Sequence, residues 1–137
     1  MPRPLRILLI EDDREIARAL VLRLKAIGHD PFAMHEGASG LAAAISTIPD
    51  IIILDLRLPD MDGFAVLQQL QQHEIARLIP VIVVSANVAE RAKREAMLLG
   101  AHCFIEKPYD FRKLVAAIDR AASAGRPESA GASAAAS

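Results

Sequence analysis

The chain predicts an α/β fold, a doubly wound five-stranded parallel sheet with helices on both faces. Strand-type and helix-type segments alternate five times along its 137 residues, a pattern that argues for parallel strands joined by right-handed helical crossovers. Three of the strand-type segments are short unbroken apolar runs, Ile7-Leu8-Leu9-Ile10, Ile51-Ile52-Ile53-Leu54 and Val81-Ile82-Val83-Val84, as expected of strands covered on both faces. The first of these runs stops at Glu11-Asp12-Asp13 and the second at Asp55, so two buried strands each end in carboxylate.

Taken in order, residues 5–10 form the first strand. Residues 13–27 follow as a helix with Ile16, Leu20, Leu24 and Ile27 on one face, and Gly28 supplies the stop. Residues 31–34 read as a second strand whose Pro31 suggests a sheet edge. Residues 38–47 carry Leu41, Ala44 and Ile45 at helical spacing, with Ile48 continuing the stripe before Pro49-Asp50 ends it. The third strand, 51–54, leads into a helix over 62–72 with Phe64, Leu67 and Leu70 facing inward. Pro80 opens a central strand at 81–84, and residues 88–99 form the fourth helix, closed by Gly100. The fifth strand is placed at 102–105 and the last helix at 111–122, with Leu114, Val115 and Ile118 as its apolar residues. From residue 123 to 137 the composition turns to Ser, Ala, Gly and Pro, which reads as a flexible tail or a cut linker. Residues 1–122 are then one domain.

Composition narrows the function. With 53% hydrophobic residues, only 4% aromatic and no Trp, the core is built from Leu, Ile, Val and Ala. The net charge of -1, with acids and bases interspersed, argues against a nucleic-acid or anionic-membrane partner. The basic cluster Arg91, Lys93 and Arg94 lies beside Glu90 and Glu95 and reads as a solvated helix face. A single cysteine, Cys103, excludes an internal disulfide and a cysteine-rich metal site; its strand-like setting makes it a core thiol rather than a nucleophile. His29, His35, His73 and His102 do not fall at metal-ligand spacing. No signal peptide or bilayer-length apolar stretch is evident, and the expected compartment is a reducing cytoplasm.

In an open α/β sheet, ligands collect outside the carboxyl ends of the strands, where strand order reverses. The order expected is 2-1-3-4-5, adopted as a known doubly wound arrangement rather than derived from the residues. The reversal then lies between the strands that end in Glu11-Asp12 and Asp55. Converging carboxylates repel unless a cation or protons neutralise them, and oxygen-only ligands suit Mg²⁺ beside a phosphoryl group. Asp12 and Asp55 are candidate direct ligands, with Glu11 acting through a water and Arg57 offering its backbone carbonyl. Asp55 is then a carboxylate nucleophile towards phosphorus. Lys107, together with the metal, neutralises the transferring phosphoryl oxygens, and the Ser85 hydroxyl donates to one of them. Acids after a strand also cap helices, typically for about 0.3–1 kcal/mol, and Asp13 is assigned that role.

These residues resemble the receiver domains of two-component response regulators, of the chemotaxis-regulator-like, flavodoxin-like kind, over roughly residues 5–122. The matching motifs are Glu11-Asp12, Asp55 with Leu58-Pro59-Asp60-Met61-Asp62-Gly63, Ser85-Ala86, and Lys107-Pro108. The resemblance implies a signalling switch in a phosphorelay rather than an enzyme. Asp55 takes a phosphoryl group from a phosphohistidine on a histidine kinase or phosphotransfer protein, some small phosphodonors also serve, and the aspartyl phosphate hydrolyses itself. It implies Mg²⁺, with Mn²⁺ as an alternative, a cis bond at Lys107-Pro108, and a tight backbone approach at Gly63.

It implies further that Ser85 and Phe104 form the switch pair, altering the surface of the fourth helix, fifth strand and fifth helix to control an unidentified downstream protein. Arg57 and Asn87 flank the pocket and tune phosphate lifetime. Phe104 stands where many receivers have Tyr. His102-Cys103 lacks the acids that bridge one symmetric receiver dimer, so a monomer or a weak phosphorylation-dependent dimer is expected. The phosphodonor is expected to dock on Arg14, Ala17, Arg18 and the Pro108-Tyr109 loop. A stand-alone regulator is preferred over the receiver piece of a longer protein, since nothing after residue 122 reads as an output domain.

Three other functions fit less well. A nucleotide or flavin module needs a glycine- or hydroxyl-rich phosphate loop where Glu11-Asp12-Asp13 stands. A small-molecule phosphatase working through an aspartyl phosphate wants an acid two residues after its nucleophile, and Arg57 occupies that position. A degenerate receiver used only for binding would have lost the acids, Asp55 or Lys107, and all are present.

Overall fold

A computed structural model describes residues 3–86 and 89–124. Five parallel strands, β1 (Arg6–Ile10), β2 (Asp30–Met34), β3 (Ile51–Asp55), β4 (Val81–Ser85) and β5 (Cys103–Glu106), form one sheet in the order β2-β1-β3-β4-β5. The expected α/β doubly wound fold and strand order are therefore observed, with Pro31 on the edge strand β2. The connecting helices are α1 (Arg14–Ala26), α2 (Gly37–Thr47), α3 (Gly63–Gln72), α4 (Glu90–Leu98) and α5 (Phe111–Ala124), with a 3₁₀ turn at Ala76–Leu78 before β4.

Strand alternation divides the core into two layers. Leu8, Ile10, Ile52, Leu54, Val81 and Val83 pack against Ala43 and Ala44 of α2, Val66, Leu67 and Leu70 of α3, and Ala96 of α4. Ile7, Leu9, Ile51, Ile53, Ile82, Val84 and Ile105 pack against Ala17, Leu20 and Leu24 of α1 and Leu114, Ala117, Ile118 and Ala121 of α5. Each such fully buried Leu, Ile or Val contributes about 1.5–3 kcal/mol relative to exposure.

The helix faces need two corrections. Ile16 and Ile27, expected inward, are 48% and 46% exposed, because α1 turns Ala17 to the sheet beside the expected Leu20 and Leu24. On α2, Ile45 and Ile48 are exposed, and the buried face is Gly37, Gly40, Ala43 and Ala44. A Cβ on Gly40 would lie 2.6 Å from Ile10 Cδ1, so this helix rides too close to the sheet for large side chains on that face. The helix boundaries also shift slightly. Asp13 and Asp62 stand just outside α1 and α3 as their N-caps. At the other end, Ser123 and Ala124, read as the start of the tail, belong to α5.

Candidate phosphoacceptor site

Three side chains that follow one face of the sheet converge beyond the strand ends. Glu11, Asp55 and Lys107 continue the alternate positions occupied by Leu9, Ile53 and Ile105, all on the α1/α5 side. The β1–β3 pairing sets Ile10 beside Leu54, so both carboxylates emerge at one rim. Lys107 Nζ donates to Asp55 Oδ2 at 2.8 Å and to Glu11 Oε1 at 3.0 Å. The remaining oxygens are also engaged: Asp55 Oδ1 accepts from the Arg57 N–H at 2.9 Å and Glu11 Oε2 from the Asp13 N–H at 3.1 Å. Both carboxylates are almost wholly buried.

One ammonium shared between two buried acids sets their electrostatics. Burial pushes the Glu11 carboxyl above its ordinary value, and the neighbouring Asp55 charge adds to the rise; the hydrogen bonds from Lys107 and Asp13 oppose it without cancelling it. Burial pulls the Lys107 ammonium down, but the hydrogen bonds and charges of Asp55 and Glu11 more than offset this and raise it. Glu11 is the more deeply buried partner, and Lys107 keeps partial access to water.

Asp12 completes an acidic group. One carboxylate oxygen from each of Glu11, Asp12 and Asp55 lies within 4.8 Å of the others, with Asp12 exposed on the solvent side. Such an all-oxygen set, open to water on one side, fits Mg²⁺, which keeps waters and takes few carboxylates. Asp13 lies apart from it in function: its Oδ1 accepts from the Glu15 and Ile16 N–H groups at 3.0 Å each, capping α1.

Ser85 and Phe104 belong to the opposite face of the sheet. Val83 pairs with Phe104 and Ser85 with Glu106 in register. Phe104 is half-buried against the α2–α4 layer, whereas Ser85 is buried. The Ser85 carbonyl accepts from the Lys107 N–H at 2.9 Å, and the Lys107–Pro108 peptide bond is cis. Arg57 is exposed and shares a surface recess with Leu56, Asp62, Phe64, Ser85 and Ala86. Asn87 lies outside the described residues.

A family model described as the response regulator receiver domain matches residues 7–119. The chain belongs to this family. It is 35% identical over 113 residues to the DNA-binding dual master transcriptional regulator RpaA of Synechocystis sp., a match covering 82% of this chain and 47% of that protein. It is 38% identical over 110 residues to the transcriptional regulatory protein KdpE of Mycobacterium tuberculosis, covering 80% of this chain and 47% of that one. The receiver domain thus spans about half the length of the curated relatives it matches.

Among solved structures, it is similar to the signal receiver domain of a signal transduction histidine kinase from Syntrophus aciditrophicus. That match has a TM-score of 0.81 and 30% identity, covering 89% of this chain and 92% of that one. The Mn²⁺-bound form of response regulator Rcp1 matches with a TM-score of 0.73 and 27% identity, covering 88% and 94% of the two chains. Receiver domains are signalling switches that histidine kinases phosphorylate, that bind Mg²⁺ at an acidic pocket and that act on downstream effectors. No helix among the described residues is long and apolar enough to cross a membrane.

Beside the acids lies a groove that the sequence reading placed only in part. Ile16, Ala19, Leu20 and Arg23 of α1 line a groove of about 460 Å³ together with Lys107, Pro108, Tyr109 and Phe111. Arg23 stacks its guanidinium 4.0 Å from the Phe111 ring centroid. Ala17, expected on a docking surface, is 1% exposed and lies in the core; Arg14 and Arg18 are exposed as expected. The missed signal is a second stripe on the same helix, Ile16, Ala19 and Arg23 at i, i+3 and i+7.

Histidine roles are structural where contacts are defined. His29 Nδ1 accepts from the Leu5 N–H, His73 Nδ1 from the Ile75 and Ala76 N–H groups, and His35 Nδ1 meets the Glu11 carbonyl at 3.0 Å. Cys103 is half-buried against the α1/α5 layer.

Proposed function

We propose that Asp55 is the phosphoacceptor of this receiver and that Lys107, Ser85 and Phe104 stabilise and report its phosphorylation. The observation that carries the reading is the 2.8 Å contact between Lys107 Nζ and Asp55 Oδ2 at the rim of the sheet, beside Glu11 and Asp12. An Asp55 oxygen attacks the phosphorus of a phosphohistidine; the P–N bond breaks, its electron pair returns to the imidazole, and an acyl phosphate P–O bond forms. Lys107 neutralises charge on the transferring oxygens. Glu11, Asp12 and Asp55, with the Arg57 carbonyl, would hold Mg²⁺, or Mn²⁺ in its place, which when bound supplies further charge neutralisation at phosphorus. Autodephosphorylation is attack of water on the same phosphorus, releasing the Asp55 carboxylate, at a rate tuned by Arg57 and Asn87.

The Ser85 hydroxyl then bonds a phosphoryl oxygen and draws the end of β4 inward, and Phe104 turns into the space released. Their common sheet face, two residues apart in register, supports this coupling. The altered α4-β5-α5 surface controls a downstream protein. The histidine kinase or phosphotransfer protein docks in the Ile16–Arg23 and Pro108–Phe111 groove, which Lys107 lines while contacting Asp55. The receiver is a monomer or a weak phosphorylation-dependent dimer; sedimentation with and without beryllofluoride tests this.

The decisive experiment is intact-protein mass after incubation with acetyl phosphate and Mg²⁺. A single phosphoryl adduct that vanishes in Asp55→Asn and with EDTA is the expected result. Absence of an adduct, together with failure to bind beryllofluoride, would overturn the assignment.

A further inference from the structure

Helix α4 is held to the sheet by little. Over nine residues it buries only Ala92 and Ala96, and its N-cap residue, Ala89, gives no side-chain capping bond. Two small side chains contribute far less burial than the Leu and Ile of α3 or α5. Against this thin packing stands one tertiary ion pair: Lys93 Nζ of α4 with Glu106 Oε1 at the end of β5. Lys93 also approaches Glu90 Oε1, within its own helix, at 3.7 Å.

The position of Glu106 gives this pair a lever. It is the residue before Lys107, and it lies on the same face of β5 as Phe104, with Ile105 on the other. Glu106 stands opposite Ser85 in the β4–β5 register, and the Lys107 N–H bonds the Ser85 carbonyl at 2.9 Å. Ser85, Glu106 and Lys107 are therefore one backbone unit. Lys107 Nζ now points at Asp55 Oδ2 and Glu11 Oε1. A phosphoryl group on Asp55 would place the oxygens to be neutralised further from the end of β3, and a backbone shift that re-aims Lys107 would pass to Glu106 through this unit.

We infer that the Lys93–Glu106 ion pair is a latch that holds α4 in its unphosphorylated position and opens when Lys107 and Ser85 engage the phosphoryl group. The inference rests on the phosphoacceptor reading and adds to it the residues that set how readily the switch turns. A latch of this kind taxes ligand affinity by the fraction of molecules in the competent state. As an exposed pair it is worth a factor of about two to five in that equilibrium.

The test measures apparent affinity for beryllofluoride with Mg²⁺, together with amide exchange of α4 in the absence of any phosphoryl mimic. Lys93→Met and Glu106→Gln should each tighten beryllofluoride about two- to fivefold and speed α4 exchange in the free protein. Lys93→Arg should keep wild-type values, and Glu90→Gln, which removes only the partner within the helix, should as well. Unchanged affinity and unchanged α4 exchange in both charge-removing variants would overturn the latch. Failure of the wild-type protein to bind beryllofluoride would instead defeat the acceptor reading, and α4 exchange in the free variants would still decide whether the pair holds the helix.

Discussion

Asp60 caps a helix that begins 23 residues before it: its Oδ1 accepts from the Gly37 N–H at 2.6 Å, and its Oδ2 from the Ala38 N–H at 2.9 Å. The N-cap residue of α2, Glu36, makes no side-chain capping bond, so the loop that follows β3 supplies the acid that complements the α2 dipole. These two N–H groups, Ala38 first, hold the Asp60 carboxyl below its ordinary 3.8. A depressed carboxyl stabilises the fold above its unfolded value and loses that contribution as pH falls through the folded one. Asp60→Ala should therefore lower Tm at neutral pH, with the gap from wild type closing below pH 3.8. Thermal unfolding of the two proteins across pH 2–7 checks it; a gap independent of pH would refute the capping role.

Gly63 is required by contact and Gly28 by backbone angle alone. A Cβ on Gly63 would stand 2.5 Å from Leu56 Cα and 2.9 Å from its carbonyl oxygen, both backbone atoms that cannot turn aside. Gly63→Ala should cost about 2–3 kcal/mol. At Gly28, φ is +96° and nothing lies within 4 Å of a new Cβ, so Gly28→Ala should cost only about 1 kcal/mol. Urea denaturation of both variants tests the ranking.

Lys107→Ala leaves Glu11 and Asp55 buried without their common cation. Breaking a fully buried pair typically costs 3–5 kcal/mol; because water reaches Lys107, a loss of about 1–3 kcal/mol is expected near neutral pH. The Glu11 carboxyl lies above its ordinary 4.5, and it should rise further once the ammonium is gone. The loss should thus shrink as pH falls and Glu11 takes a proton. Conversely, the raised Lys107 ammonium stabilises the wild type fully below its ordinary 10.5 and ceases to do so as pH rises through its folded value. Denaturant titrations at pH 5, at pH 7 and above pH 10.5 follow both limbs.

Cys103 should alkylate slowly at neutral pH. Burial pushes its thiol above the ordinary 9.0, with the Arg120 charge opposing weakly, and the thiolate is the reactive form. Iodoacetamide labelling in the native state should accelerate only above pH 9 and more steeply in denaturant. Because the folded value is raised, the thiol's contribution to stability is present below pH 9.0 and lost as pH rises through the folded value.

The fold and the acidic centre were legible because they depend on patterns confined to single segments. Ile7–Ile10, Ile51–Leu54 and Val81–Val84 are buried on both faces, and continuous apolar runs of strand length have few other uses. Asp55 and Glu11 could be brought together because parallel strands put their carboxyl ends at one rim once the strand order is fixed. The helix faces were less legible. Periodicity favoured Ile16, Ile27, Ile45 and Ile48, yet the rotation of α1 turned Ala17 inward with Leu20 and Leu24, and the close approach of α2 selected Gly40 and Ala43 over larger side chains. The Asp60–Gly37 cap and the Lys93–Glu106 pair left no local signature, and the α1 groove beside Tyr109 showed locally only as the Ile16, Ala19 and Arg23 stripe. Each joins groups that are distant in the chain and adjacent only after folding, so hydrophobic pattern and motif spacing determined the scaffold and its acids, whereas three-dimensional proximity alone decided which charges meet.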